Sequence, residues 1–83
     1  MSKVEIYTWS YCPFCIKAKE LLEEKGIPYR EVSIDGNEDK KKELHGRTGQ
    51  NTVPFIFIGD RFIGGYTQLK ELDDRGELEG LIR

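Results

Sequence analysis

The chain is poor in what metal sites, secreted scaffolds and membrane proteins are built from. Its 83 residues hold two cysteines and one histidine. A structural zinc site needs four ligands, and Cys12, Cys15 and the distant His45 do not supply them, so no metal is expected. Small secreted folds lean on several disulfides, and a bridge spanning only Cys12-Pro13-Phe14-Cys15 would staple almost nothing together. No apolar run approaches the length of a membrane span, and Met1-Ser2-Lys3-Val4 leads straight into a strand pattern without a signal-peptide core. The protein is therefore expected to be soluble and cytoplasmic, with no membrane partner. Charged residues make up 34% of the chain with a formal net charge of −2, and the two signs are interspersed. No basic field is available for nucleic acid. No repeat, low-complexity stretch or linker breaks the chain, and its length suits one small domain with a thin core over residues 1–83. The expected state is a monomer.

What is present is a pair of thiols in a telling place. Val4-Glu5-Ile6-Tyr7-Thr8 alternates in the manner of a strand and runs up to Trp9-Ser10-Tyr11, and a helical pattern begins directly after Cys12. Pro13 suits the first helical position, Ala18, Leu21 and Leu22 continue an apolar stripe, and Gly26 followed by Pro28 supplies a stop. Three residues apart at a helix start, the two cysteine side chains lie one turn above each other, within reach of a disulfide. Cys12 falls at the N-cap, where unpaired N–H groups and the helix dipole favour an anion. A cysteine in such a setting is largely thiolate at neutral pH. Cys12 is therefore assigned as the nucleophile, and Cys15, one turn inside on the apolar stripe, as the more buried resolving thiol.

The remaining elements follow the same logic. Tyr29 to Ile34 reads as a second strand, and Asp35-Gly36-Asn37 as a turn able to cap a charged helix from Glu38 to about Arg47. Leu44 is that helix's one large apolar residue, so the helix is expected to lie shallowly and add little core. Lys40-Lys41-Lys42 reads as its wet face, and His45 as a surface residue. Pro54-Phe55-Ile56-Phe57-Ile58 is the most apolar segment and reads as a central strand, joined through Gly59-Asp60 to the strand Arg61-Phe62-Ile63. After Gly64-Gly65, Thr67 is the expected N-cap of a C-terminal helical layer that breaks near Gly76. The order β-α-β-α-β-β-α fits one mixed four-stranded sheet flanked by helices.

With these motifs in place, the chain resembles the glutaredoxins nearly end to end. Cys12-Pro13-Phe14-Cys15 at the first strand–helix junction, Thr52-Val53-Pro54 before the third strand and Gly64-Gly65 after the fourth occur in the order and spacing of that family. The resemblance implies an α/β thioredoxin-like fold with strand order 2-1-3-4, the last two strands antiparallel to the first pair. It also implies glutathione as the electron donor, a cis Val53-Pro54 bond, and a glutathione groove drawn from Pro13, Phe14, Thr52, Val53, Pro54, Gly65, Tyr66 and Thr67. In that groove an extended Val53 pairs its backbone with the cysteinyl unit of glutathione, and the γ-glutamyl end docks beside Gly65.

The implied activity is that of a dithiol enzyme reducing glutathionylated proteins and protein disulfides. The alternatives are a redoxin fed by thioredoxin reductase and a carrier whose [2Fe–2S] cluster is ligated by glutathione; Pro13 argues against the second. Two departures from the family stand out. Tyr66-Thr67-Gln68 replaces a frequent stretch carrying two acidic residues, and Trp9 falls where many members have a lysine. Trp9 is read as packing on the rim of the site or as a half-buried aromatic at the strand end. Arg47 and Gln50 lie near enough in sequence to reach the glycyl carboxylate, but a solvated role is the expected one for each.

Overall fold

The computed structural model describes residues 3–82. Met1 and Ser2, read above as leading directly into the first strand, and Arg83 lie outside the described residues. The elements in chain order are β1 (Val4–Thr8), α1 (Pro13–Glu24), β2 (Tyr29–Ser33), α2 (Glu38–Thr48), β3 (Phe55–Ile58), β4 (Arg61–Gly64), α3 (Tyr66–Asp74) and α4 (Leu78–Ile82). The strands form one sheet in the order β2-β1-β3-β4. β1 pairs parallel with β2, Ile6 standing opposite Glu31, and antiparallel with β3, Ile6 standing opposite Ile56. This is the expected thioredoxin-like fold, with one correction. β4 is antiparallel to β3, and so runs in the direction of β1 and β2; only β3 opposes the first pair. The tight Gly59-Asp60 connection itself demands this reversal, since a two-residue loop joins antiparallel neighbours.

Strand alternation sorts the side chains into two layers. Val4, Ile6, Ile56 and Ile58 face α1, α3 and α4, where they pack with Ala18, Leu22, Ile27, Leu69 and Leu78. Phe55 and Phe57, with the opposite parity, meet Ile34 and Leu44 on the other face. Leu44 is α2's only buried residue, as expected of so charged a helix, but it is fully buried and closes this second layer. Burial of a leucine at that level is worth about 1.5–3 kcal/mol, so α2 contributes more core than a count of apolar residues suggests.

Local signals place the ends of the elements. Asn37 caps α2, its side-chain oxygen accepting from the Lys40 N–H at 3.0 Å. α1 ends where Gly26 turns to φ +68° and the Ile27 N–H reaches back to the Leu22 carbonyl at 2.9 Å, a closure that favours glycine. The wet face expected for Lys40-Lys41-Lys42 holds for Lys42 alone. The Lys40 ammonium lies 5.4 Å from the centroid of the Tyr7 ring and the Lys41 ammonium 4.3 Å from that of the Trp9 ring. Aromatic faces exposed beside a helix draw its cations down onto them.

Candidate active site

Cys12 takes up the N-cap of α1 in an extended conformation, φ −143° and ψ 100°, with Pro13 opening the helix. Its sulfur accepts the Cys15 N–H at 3.1 Å, which is the capping bond itself. No acidic side chain occupies the first turn, so nothing there competes with a sulfur anion for the helix N-terminus. On the other side the Cys12 thiol donates to the Val53 carbonyl at 3.8 Å. Both cysteines are buried and unbridged. Burial pushes the Cys15 thiol up to about 12, its hydrogen bond to the Cys12 sulfur adding to the effect, while the Trp9 backbone N–H and the Lys19 charge oppose it. The pair is thus asymmetric: one sulfur sits at a helix end, and the other is held in its protonated form one turn inside.

The loop bearing Cys12 is tied to the neighbouring turn by the Ser10 N–H, which donates to the Asp35 carboxylate at 2.8 Å. The loop facing it, Thr52 to Pro54, contains the one cis bond among the described residues, Val53-Pro54. Gln50 braces that loop. Its amide nitrogen donates to the Thr52 carbonyl at 2.6 Å and to the Pro54 carbonyl at 2.9 Å.

Beside Cys12 lies a groove of about 260 Å³ lined by Phe14, Gln50, Thr52, Val53, Pro54, Gly65, Tyr66, Thr67 and Gln68. The structure therefore brings together seven of the eight residues expected around glutathione, from the starts of α1 and α3 and from the loop before β3. Pro13 stands apart, exposed on the first turn of α1 and outside the groove lining. Thr67 does not cap α3, as the sequence suggested. The cap is Gly65, and the Gln68 side chain accepts the Gly65 N–H at 2.9 Å. Arg47 does not line the groove; it lies 3.7 Å from Glu43 and over the Phe57 ring. His45 is exposed, as expected.

Trp9 is half-buried and packs on the layer of Ile34, Leu44, Phe55 and Phe57. Its indole nitrogen is buried and, among the described residues, has no hydrogen-bond partner. Two residues have larger structural roles than sequence reasoning gave them. Gln50 and Gln68 both spend their side-chain amides on backbone groups that frame the groove. Only the spacing of a glutamine from a proline or glycine pair hints at this, and that signal is weak.

Comparison with known proteins agrees with this geometry. The glutaredoxin family model matches residues 4–63. The chain is 48% identical to glutaredoxin 3 of Escherichia coli strain K12 over 83 residues, covering all of both chains. It is 42% identical to a glutaredoxin of Pseudomonas aeruginosa over 82 residues, 99% of this chain and 98% of that one. Among solved structures, a buckwheat glutaredoxin–glutathione complex superposes with a TM-score of 0.91 at 30% identity, covering 98% of this chain and 76% of that one. A Brucella melitensis glutaredoxin superposes with a TM-score of 0.89 at 40% identity, over 99% and 89% of the two chains. A helix-capping Cys12, a Cys15 held as thiol beneath it and a facing groove are what thiol–disulfide exchange requires, and this chain belongs to the glutaredoxin family of thiol–disulfide oxidoreductases.

Proposed function

We propose that the protein is a glutathione-dependent dithiol oxidoreductase that reduces protein–glutathione mixed disulfides and protein disulfides. The observation that carries this reading is the position of the Cys12 sulfur, 3.8 Å from the Val53 carbonyl at the side of a groove large enough for an extended tripeptide arm. Glutathione enters that groove with its cysteinyl unit paired to the Val53 backbone and its γ-glutamyl carboxylate at the start of α3. No side chain caps α3, which leaves backbone N–H groups of its first turn directed at an anion. Phe14 and Tyr66 form the aromatic wall, Thr67 supplies a hydroxyl at the γ-glutamyl end, and Gln50 holds the Thr52 to Pro54 loop in shape.

In the monothiol branch the Cys12 thiolate attacks the glutathione sulfur of a mixed disulfide. The substrate thiolate leaves and takes a proton, and a second glutathione thiolate then attacks the glutathione sulfur, forming oxidised glutathione as the bond to Cys12 breaks and the Cys12 thiolate is released. Cys15 has no part in this branch. In the dithiol branch Cys12 attacks a substrate disulfide and Cys15 displaces the remaining substrate thiolate, leaving a Cys12–Cys15 disulfide for glutathione to reduce. Leaving-group acidity and thiolate fraction together set the rates. The buckwheat relative is a glutathione complex, which supports glutathione as the co-substrate. The same reading takes the chain as one functional domain over residues 1–83, acting in the cytoplasm as a monomer on soluble proteins and without a metal. Among the described residues no helix is long and apolar enough to cross a membrane.

The test is glutathione-dependent turnover of a small mixed disulfide, coupled to glutathione reductase, for the parent, Cys12→Ser and Cys15→Ser. Activity that vanishes in Cys12→Ser and persists in Cys15→Ser establishes the monothiol branch. An inactive parent overturns the glutathione assignment.

A further inference from the structure

Thr8 is the last residue of β1 and the only polar side chain in the described core, 1% exposed. A buried hydroxyl needs a partner, and it finds one across the strand pair: Thr8 Oγ1 donates to Glu31 Oε2 at 2.7 Å. The same carboxylate oxygen holds the Lys19 ammonium at 3.1 Å, with the two side chains 27% and 38% exposed. The Thr8 hydroxyl and, after it, Lys19 hold the Glu31 carboxyl below its usual range. The anchor is therefore a carboxylate throughout the working pH range. Lys19 follows Cys15 by one helical turn, and residues so spaced have Cβ atoms about 5–6 Å apart on one face. β1, β2 and α1 thus cooperate to fix one cation whose residue stands one helical turn from the resolving thiol.

The groups acting on the Cys15 thiol fall into two sets. Burial and the Cys12 sulfur oppose its ionisation, and the Trp9 N–H and the Lys19 charge favour it. Glu31 of β2 and Thr8 of β1 act through Lys19. β3 and α3 offer this layer the apolar Ile56, Ile58 and Leu69, and Tyr66 of α3 is turned toward Phe14. Once the Cys12 sulfur enters a mixed disulfide it no longer carries a negative charge, and its opposition lapses. The Lys19 charge then favours the Cys15 thiolate without that opposition.

We propose that Lys19, held by Glu31 and Thr8, is a positioning residue for the resolving step, stabilising the Cys15 thiolate as it closes on Cys12. The proposal rests on the roles given above to Cys12 and Cys15. In that step Cys15 releases its proton to water and its thiolate attacks Cys12 Sγ. The Cys12–Cys15 bond forms, the bond from Cys12 to the substrate sulfur breaks, and the substrate thiolate departs. Two cysteine thiols are oxidised and one substrate disulfide is reduced. Lys19 transfers no proton; it is a fixed cation that makes the buried thiolate less costly.

The test is the reaction of the reduced protein with excess 5,5′-dithiobis(2-nitrobenzoate) in a stopped-flow absorbance experiment across pH. The first aromatic thiolate released reports attack by Cys12, and the second reports closure by Cys15. Lys19→Gln is expected to leave the first phase unchanged, slow the second about three- to tenfold at pH 7 and move its pH profile about 0.5–1 unit to alkaline pH, the size of a charge effect at a partly screened site. Lys19→Arg is expected to restore the profile, and Lys19→Met, which keeps the packing of the stem, to behave as Lys19→Gln does. A second phase whose pH profile is unchanged in both Lys19→Gln and Lys19→Met overturns the proposal. A first phase that survives in Cys12→Ser, or a second that survives in Cys15→Ser, instead removes the cysteine roles on which it stands.

Discussion

Phe14 and Tyr66 stack with ring centroids 6.3 Å apart and planes inclined by 29°, joining the first turn of α1 to the first turn of α3. The Lys17 ammonium lies over both rings, 5.6 Å from one centroid and 6.0 Å from the other. The helix starts that follow Cys12 and Gly65 are thereby clasped at the mouth of the groove. Phe14 is nevertheless 54% exposed, so it keeps surface open to a ligand. An aromatic contact of this kind is worth about 0.5–1.5 kcal/mol, or roughly a factor of two to ten in affinity. Phe14→Ala should raise KM for a glutathione mixed disulfide by that factor and change kcat little. Steady-state kinetics in the coupled assay check it, and an unchanged KM would take Phe14 out of the groove's binding surface.

Gln50 is the other framing residue open to a clean test. One amide nitrogen serves two carbonyls, those of Thr52 and Pro54, and the backbone so held bears Val53. Gln50→Ala leaves both carbonyls to find water and should cost about 1–2 kcal/mol, which for a domain of this size is a melting temperature lower by roughly 4–16 °C. KM for the mixed disulfide should rise in parallel. Thermal melts read together with the coupled assay distinguish this from a solvated side chain, for which neither quantity would move.

The contrast between Cys12 and Gln50 shows what could be read before folding. The place of Cys12 at a helix N-cap is legible because it depends on near neighbours: a strand end, a proline at the first helical position and a thiol one turn on. The two core layers follow from alternation along Val4–Thr8 and Phe55–Ile58, whereas the strand order came with the resemblance to the glutaredoxins. Gln50, Gln68 and Lys19 act through partners brought close by tertiary structure, or through a side chain reaching backbone in an irregular loop, and no periodicity encodes such contacts. Thr67 suits a cap because threonine is a good one, but α3 begins one residue earlier, at Tyr66, and the cap falls to Gly65. The direction of β4 departs from what the resemblance implies, and the Gly59-Asp60 turn already carries the reason.

At Gly64 backbone conformation and packing both call for glycine. Its φ is +123°, and a Cβ built there would lie 2.9 Å from Gln68 Cγ. The extra residue in β4 that accompanies the shift in pairing after Ile56 brings the chain into this conformation. Gly64→Ala must strain the backbone and push aside the side chain that accepts the Gly65 N–H. A cost of about 1–3 kcal/mol is expected, with a melting temperature lower by at least about 4 °C. Differential scanning calorimetry checks the size. A variant as stable as the parent would mean that β4 can re-register without loss.

The Thr8, Glu31 and Lys19 cluster makes a separate prediction about stability and pH. The Thr8 hydroxyl, then the Lys19 ammonium, lowers the folded-state titration of Glu31, whereas in the unfolded chain the carboxyl titrates in the ordinary glutamate range of about 4.3. Folding therefore favours the anion. Its stabilising contribution is complete above the unfolded value and is lost as pH falls through the lower, folded one. Because Glu31 is 38% exposed, solvent screening limits the effect to about 1 kcal/mol or less. Glu31→Gln should melt a few degrees below the parent at pH 7, and the gap should close as the pH is taken below about 4. It should also narrow at high salt, since half of the interaction is an exposed ion pair. Urea or thermal melts of the two proteins from pH 7 to pH 3 measure this. A gap independent of pH would assign the loss to the Thr8 hydrogen bond alone and remove the charge on Glu31 from the account of stability.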